Sequence, residues 1–242
     1  MAVIDDFEAE QDRLDLVLSG LDEDQWLAGS GAAGWSVTDV VLHLAQSEEA
    51  VAATITGAGL PSRPGGVNVD DAMDLLVRSQ RAAPLEVLGR WRAARRSAVE
   101  ALRSADPGQP MQWIEAPLKP TTLATTRLAE TWAHGLDITE PLGIDWPDTG
   151  RLRHIAWLAH RSLAYAFVLA GSQPEPVFCR LTAPSEAEVW EFGPGDAPSR
   201  IEGPAGQFCR VAAQRLAPGE SGLRAQGPHG AAALRIVRTY AA

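Results

Sequence analysis

The chain has 242 residues, 45% of them apolar and 21% charged, with a formal net charge of −10. That length is enough to bury a core in one large domain or two modest ones, and the composition is globular rather than disordered or membrane-embedded. The acidic balance excludes a phosphate-binding surface as the main business of the protein, and nucleic acid with it; the densest basic stretch, RWRAARR at 90–96, reads as a solvated helix face.

The N-terminal MAVIDDFEAEQ lacks the basic-then-apolar order of a signal peptide. Residues 3–19 place Ile4, Phe7, Leu14 and Leu18 on one apolar face of a helix. In GWSVTDVVLHLAQSEEAVAATI, Ser36 is the expected N-cap and Asp39, three residues on, completes a variant capping box. Val37, Val40, Val41, Leu44 and Ala45 then form a helical stripe. GLPSRPGGVNVD is expected to be a loop, followed by a short helix over 69–79 and a longer one over 84–104. PGQPMQWIEAPLKP, at 107–120, is irregular.

Two further helices are predicted at 121–138 and 149–170. The latter ends in the longest apolar run, AWLAHRSLAYAFVLAG, which is broken by His160 and Arg161 and is too short to span a bilayer comfortably. Long helices joined in this way predict an up-and-down four-helix bundle over 1–172. After the SQPEP linker, VFCRLTAP and EVWEFGPG read as strands, and GPAGQFCRVAAQRLA and HGAAALRIVRTYA as helices. The fold class is therefore α plus a small α+β C-terminal domain at 174–242.

The chemistry is concentrated in RLAETWAHGLDI. Glu130 and His134, at i and i+4, point the same way from a helix and can close on one metal ion. Histidine nitrogen and carboxylate oxygen suit zinc first, with nickel, iron and manganese also compatible. A third ligand must come from another helix, and His43, near the inward stripe of its own, is the natural donor. Spacing alone leaves another reading open: a solvent-facing Glu–His pair and a satisfied core histidine. Asp137 could orient a ligand, touch substrate or simply lie on the surface. His154, Arg161 and Tyr165 share the last long helix, where Arg161 is a candidate pocket residue. Trp132 and Trp157 are expected in the core. Cys179 and Cys209 lack metal-ligand spacing and read as buried apolar residues, which fits a reducing cytoplasm.

GWSVTDVVLHL followed by RLAETWAHGLDI resembles the DinB-like metal-binding superfamily, and within it the mycothiol-dependent maleylpyruvate isomerase group of actinobacteria. Trp35, Ser36, His43, Glu130, His134 and Asp137 all match the pattern of that group, and GPAGQFCRVAAQRL with QGPHGAAALRIV resembles its appended C-terminal domain. The resemblance implies a divalent metal held by His43, Glu130 and His134. It also implies mycothiol or another low-molecular-weight thiol as co-substrate, and isomerase or S-transferase activity on a small unsaturated or electrophilic acid. It further implies an active-site arginine from the C-terminal domain, with Arg200, Arg210, Arg215 and Arg224 as candidates. A metal-dependent hydrolase and a non-catalytic, metal-braced binding protein are the competing functions. No membrane partner is expected, and a homodimer is left open.

Overall fold

The computed structural model of the chain describes residues 2–59, 68–114 and 116–239. Most of the expected loop GLPSRPGGVNVD, residues 60–67, lies outside them. The chain divides into two compact units between Trp146 and Pro147.

The first unit contains α1 (Ala2–Ser19), α2 (Glu23–Leu27), α3 (Val37–Ile55), α4 (Val69–Ser79), α5 (Pro84–Ser104) and α6 (Pro120–Thr139). The four long helices close a bundle in which α3 packs on α5, α5 on α1, α1 on α6 and α6 on α3. Its core follows the apolar stripes: Phe7, Leu14 and Leu18 from α1, Val41 and Leu44 from α3, Trp91 and Leu102 from α5, and Leu128 and Trp132 from α6 are all buried. Each such aliphatic side chain contributes about 1.5–3 kcal/mol on leaving water. RWRAARR is less solvated than its pattern suggests. Arg92 reaches Asp15 at 2.7 Å and Arg95 reaches Asp12 at 2.8 Å, so the basic face is laced to the acidic face of α1.

Helix boundaries follow local chemistry. The N-cap of α3 is Ser36, whose hydroxyl accepts the Asp39 N–H while the Asp39 carboxylate accepts the Ser36 N–H, so the capping box is reciprocal. Both α5 and α6 begin at proline, whose missing N–H costs nothing in a first turn. The short α2 was not apparent from the sequence. It too has a reciprocal box, between Asp22 and Gln25.

The second unit contains α7 (Leu152–Leu169), β1 (Val177–Thr182), β2 (Val189–Phe192), β3 (Ser199–Pro204), α8 (Ala205–Ala212), β4 (Arg224–Gln226) and α9 (Gly230–Ile236). The strands form one sheet in the order β2-β1-β3-β4. Strand β1 runs antiparallel to β2, with Cys179 opposite Phe192, and parallel to β3, with Cys179 opposite Ile201. Helix α7 packs on α8 and α9, so it groups with the sheet, and SQPEP connects α7 to β1 within this unit. Trp157, expected in the core, is 38% exposed, because it lies on the face of α7 that carries Tyr165 and Val168 outward. Among the described residues, no helix is long and apolar enough to cross a membrane.

Candidate metal centre

His43 lies one turn beyond Asp39 on α3. The start of that helix is fixed by the cap and by Arg81, whose Nε and Nη2 each donate to the Asp39 carboxylate at 2.8 Å. Burial pushes the Asp39 carboxyl up, but the Arg81 and Ser36 hydrogen bonds outweigh it and hold the group below its usual range. Glu130 and His134 lie on α6, nearly all of which is buried from Leu123 to Thr139. A bundle helix covered on so many sides has room for polar groups only where they find partners.

These partners are one another. Glu130 Oε2 stands 3.4 Å from His134 Nε2 and 3.8 Å from His43 Nε2, and one ligand atom from each residue lies within 4.8 Å of the other two. A tetrahedral ion with ligands at about 2.0–2.1 Å has ligand–ligand edges of about 3.3–3.4 Å; the Glu130–His134 separation matches that edge and the Glu130–His43 separation is a few tenths of an ångström longer. Two imidazole nitrogens and one carboxylate oxygen form a normal donor set for such an ion, and the residues fit it. The two imidazoles meet edge to face with centroids 5.0 Å apart. The Glu130 side chain keeps 27% of its surface exposed against 11% and 10% for the histidines, so the cluster meets solvent on the Glu130 side.

The second nitrogens of the two histidines differ. His134 Nδ1 lies 2.9 Å from Asp137 Oδ2, a carboxylate that is itself buried. His43 Nδ1 is buried with no hydrogen-bond partner among the described residues, and the ring packs instead against Trp35, centroid to centroid 5.2 Å. The electrostatics follow this arrangement. Burial pushes the Glu130 carboxyl up, but hydrogen bonds from His134 and His43 and the charge of Arg127 take it well below its usual range. Burial lowers His43 and favours its neutral form. Burial also acts to lower His134, but Asp137 and Glu130 overcome it and raise the ring.

A buried ion pair that the sequence reading missed lies beside the cluster. Glu48 on α3 is fully buried, and its Oε1 lies 3.4 Å from Nε of Arg127 on α6, three residues before Glu130. Burial pushes the Glu48 carboxyl up to about 7, against the pull of Arg127. A signal was present in the sequence: Glu48 sits four residues after Leu44, on the inward stripe, whereas neighbouring Glu49 points out to Arg90.

The other expected residues belong to the second unit. Arg161 is exposed on α7, its guanidinium 5.8 Å over the Trp157 ring. Of the candidate arginines, Arg200 stacks over Phe178 at 4.7 Å, Arg210 lies 3.8 Å from Asp148, Arg215 donates to the Ala213 carbonyl and Arg224 lies on β4. Cys179 and Cys209 are buried, and burial raises their thiols to about 12 and well above the ordinary value respectively, which disfavours the thiolate at both.

Residues 7–139 match the family model of the mycothiol maleylpyruvate isomerase N-terminal domain. Uncharacterised proteins from two strains of Mycobacterium tuberculosis are each 35% identical to the chain over 246 residues, covering 98% of it and 94% of their own length. The crystal structures of the mycothiol-dependent maleylpyruvate isomerase and of a histidine-to-alanine mutant of it superpose with a TM-score of 0.65, covering 95% of each chain. Their sequence identities to this chain are 16% and 15%, so they speak for the fold across both units.

Proposed function

The chain belongs to the mycothiol maleylpyruvate isomerase N-terminal domain family, and from that premise we propose an enzyme that holds one divalent metal ion through His43, Glu130 and His134. Its co-substrate is mycothiol or a similar low-molecular-weight thiol, and its substrate a small unsaturated or electrophilic acid. The observation that carries this reading is that a Glu130 oxygen on one helix lies near Nε2 of His134 on the same helix and Nε2 of His43 on another, with one ligand atom from each residue within 4.8 Å of the other two. Zinc is the first choice of ion, and nickel, iron or manganese would suit the same donors.

When bound, such an ion supplies Lewis acidity that lowers the pKa of a thiol presented to it. The residues prepare for that role. Glu130 is ionised and brings the negative charge, and burial keeps the His43 lone pair free of a proton. Asp137 engages Nδ1 of His134 and so leaves Nε2 facing Glu130. Three protein ligands with an exposed edge at Glu130 leave a position for an exogenous ligand. A thiolate that adds to one carbon of an activated double bond converts it to a single bond free to rotate. Expelling the thiolate restores the double bond in the other geometry, with no net change in atoms or electrons. Because both cysteines are buried with raised thiols, the nucleophile is borrowed, which suits a cytoplasm with a reduced thiol pool.

Calorimetry in two buffers of different ionisation enthalpy tests this reading. Mycothiol binding to the zinc-loaded protein should release about one proton near neutral pH. Binding without proton release, or equal binding to metal-free protein, would overturn the thiol reading. Turnover of electrophilic acids or esters without thiol would point to a hydrolase, and metal binding without turnover to a metal-braced binding protein.

A further inference from the structure

One short segment, Gly29–Ser36, meets His43 directly through Trp35 and reaches His134 through Asp137. The segment is closed on itself: Gly29 and Ser36 form an antiparallel bridge, the Ser30 N–H and hydroxyl both donate to the Trp35 carbonyl at 2.9 Å, and the Trp35 N–H donates to the Ala32 carbonyl at 3.0 Å. At one end the Trp35 ring backs His43, and its indole N–H is anchored on Asp74 at 2.9 Å. At the other end the Gly31 N–H donates to the Asp137 carbonyl at 2.7 Å. The approach is so close that a Cβ on Gly31 would stand 3.1 Å from both the Cα and Oδ1 of Asp137. The other oxygen of that carboxylate, Oδ2, is the one beside His134 Nδ1.

We propose that Gly31 is a positioning residue for the metal centre. It seats Asp137 so that the carboxylate fixes the His134 ring, and the segment to which it belongs holds His43 through Trp35, so that one clasp sets both imidazoles. The proposal rests on the reading that His43, Glu130 and His134 hold the metal. Glycine is favoured here by close approach, where a Cβ would push Asp137 by a few tenths of an ångström, and not by backbone angle, since Gly31 is not among the residues with positive φ. The same segment supplies a control: a Cβ on Gly29 would meet nothing within 4 Å.

The test compares Gly31→Val and Gly31→Ala with Gly29→Ala, by two readouts. The first is the ring-nitrogen NMR shifts of His134 and His43 in the metal-free protein. Gly31→Val should move the His134 nitrogens away from the carboxylate-bonded pattern and leave those of His43 in place, while Gly29→Ala changes neither. The second is zinc affinity by competition with a chromophoric chelator. It should fall about 10–100-fold for Gly31→Val and less for Gly31→Ala, and stay within about twofold for Gly29→Ala. The alanine variant carries the test if the valine variant does not fold. Wild-type His134 shifts in the Gly31 variants, or equal losses from Gly29→Ala, would overturn the proposal. If the unaltered protein takes up no zinc yet Gly31→Val still moves the His134 nitrogens, the clasp stands and the metal assignment falls.

Discussion

Asp137 Oδ2 lies 2.9 Å from Nδ1 of His134, on the opposite edge of the ring from the nitrogen that faces Glu130. A buried carboxylate in that position fixes both the tautomer and the direction of the imidazole. Asp137→Ala should therefore weaken zinc binding about 10–100-fold while the protein stays folded, as read by chelator competition. An unchanged affinity would make Asp137 a structural acid only.

The Glu48–Arg127 pair predicts a pH signature in the metal-free protein. The folded-state pKa of Glu48, about 7, lies above its ordinary value of 4.5, so the folded state binds the extra proton. Its stabilising effect is full below about pH 4.5 and is lost as pH rises through 7. Relative to wild type, Glu48→Gln should gain stability across that window, by an amount on the order of a few kcal/mol, and then level off. Parallel denaturation midpoints for the two proteins from pH 4.5 to 7.5 would contradict this.

Gly135, next to His134, is required by packing. A Cβ there would fall 2.5 Å from Cζ2 of Trp146, a buried ring with the Arg13 guanidinium 3.6 Å from its centroid. Alanine gains about 1 kcal/mol in a helix interior, whereas forcing a methyl into a filled core costs about 1–3 kcal/mol or more. A rigid indole cannot yield as a flexible side chain would, so the steric cost wins. Gly135→Ala should lower the thermal midpoint, and a variant as stable as wild type would refute the packing account.

The thiols of Cys179 and Cys209 should resist labelling by a disulfide reagent at neutral pH until the protein unfolds, because burial disfavours both thiolates. Cys179→Ala and Cys209→Ala should each keep thiol-dependent turnover per folded molecule. Loss of turnover in either variant with its fold intact would return the nucleophile to the chain itself.

Features set by local chemistry were legible in the sequence. The Ser36–Asp39 box and the i, i+4 relation of Glu130 and His134 depend on residues within a turn of one another, whereas Pro120, read as the end of an irregular stretch, is the first residue of α6. His43 was legible because its helix has a clear apolar stripe. Strands β3 and β4 were not: SRIEGP has one large apolar residue, Ile201, and ends in Gly-Pro, RAQ has three residues, and both owe their extended form to partners distant in sequence. The grouping of α7 was equally hidden: Leu152, Ile155, Leu163 and Phe167 form the same kind of stripe as a bundle helix, and only the packing on α8 and α9 shows which unit owns it. Gly31 carried no sequence signal, because its role depends on how closely Asp137 approaches it in space.

The most direct test is metal content. The protein purified from zinc-supplemented medium should carry about one equivalent, with X-ray absorption showing nitrogen and oxygen ligands at about 2.0–2.2 Å and no sulfur. His134→Ala should carry none at the same protein concentration, with its helical content preserved by circular dichroism. A folded His134→Ala protein that retains a full equivalent at wild-type affinity would contradict the assignment of His43, Glu130 and His134 as the metal centre.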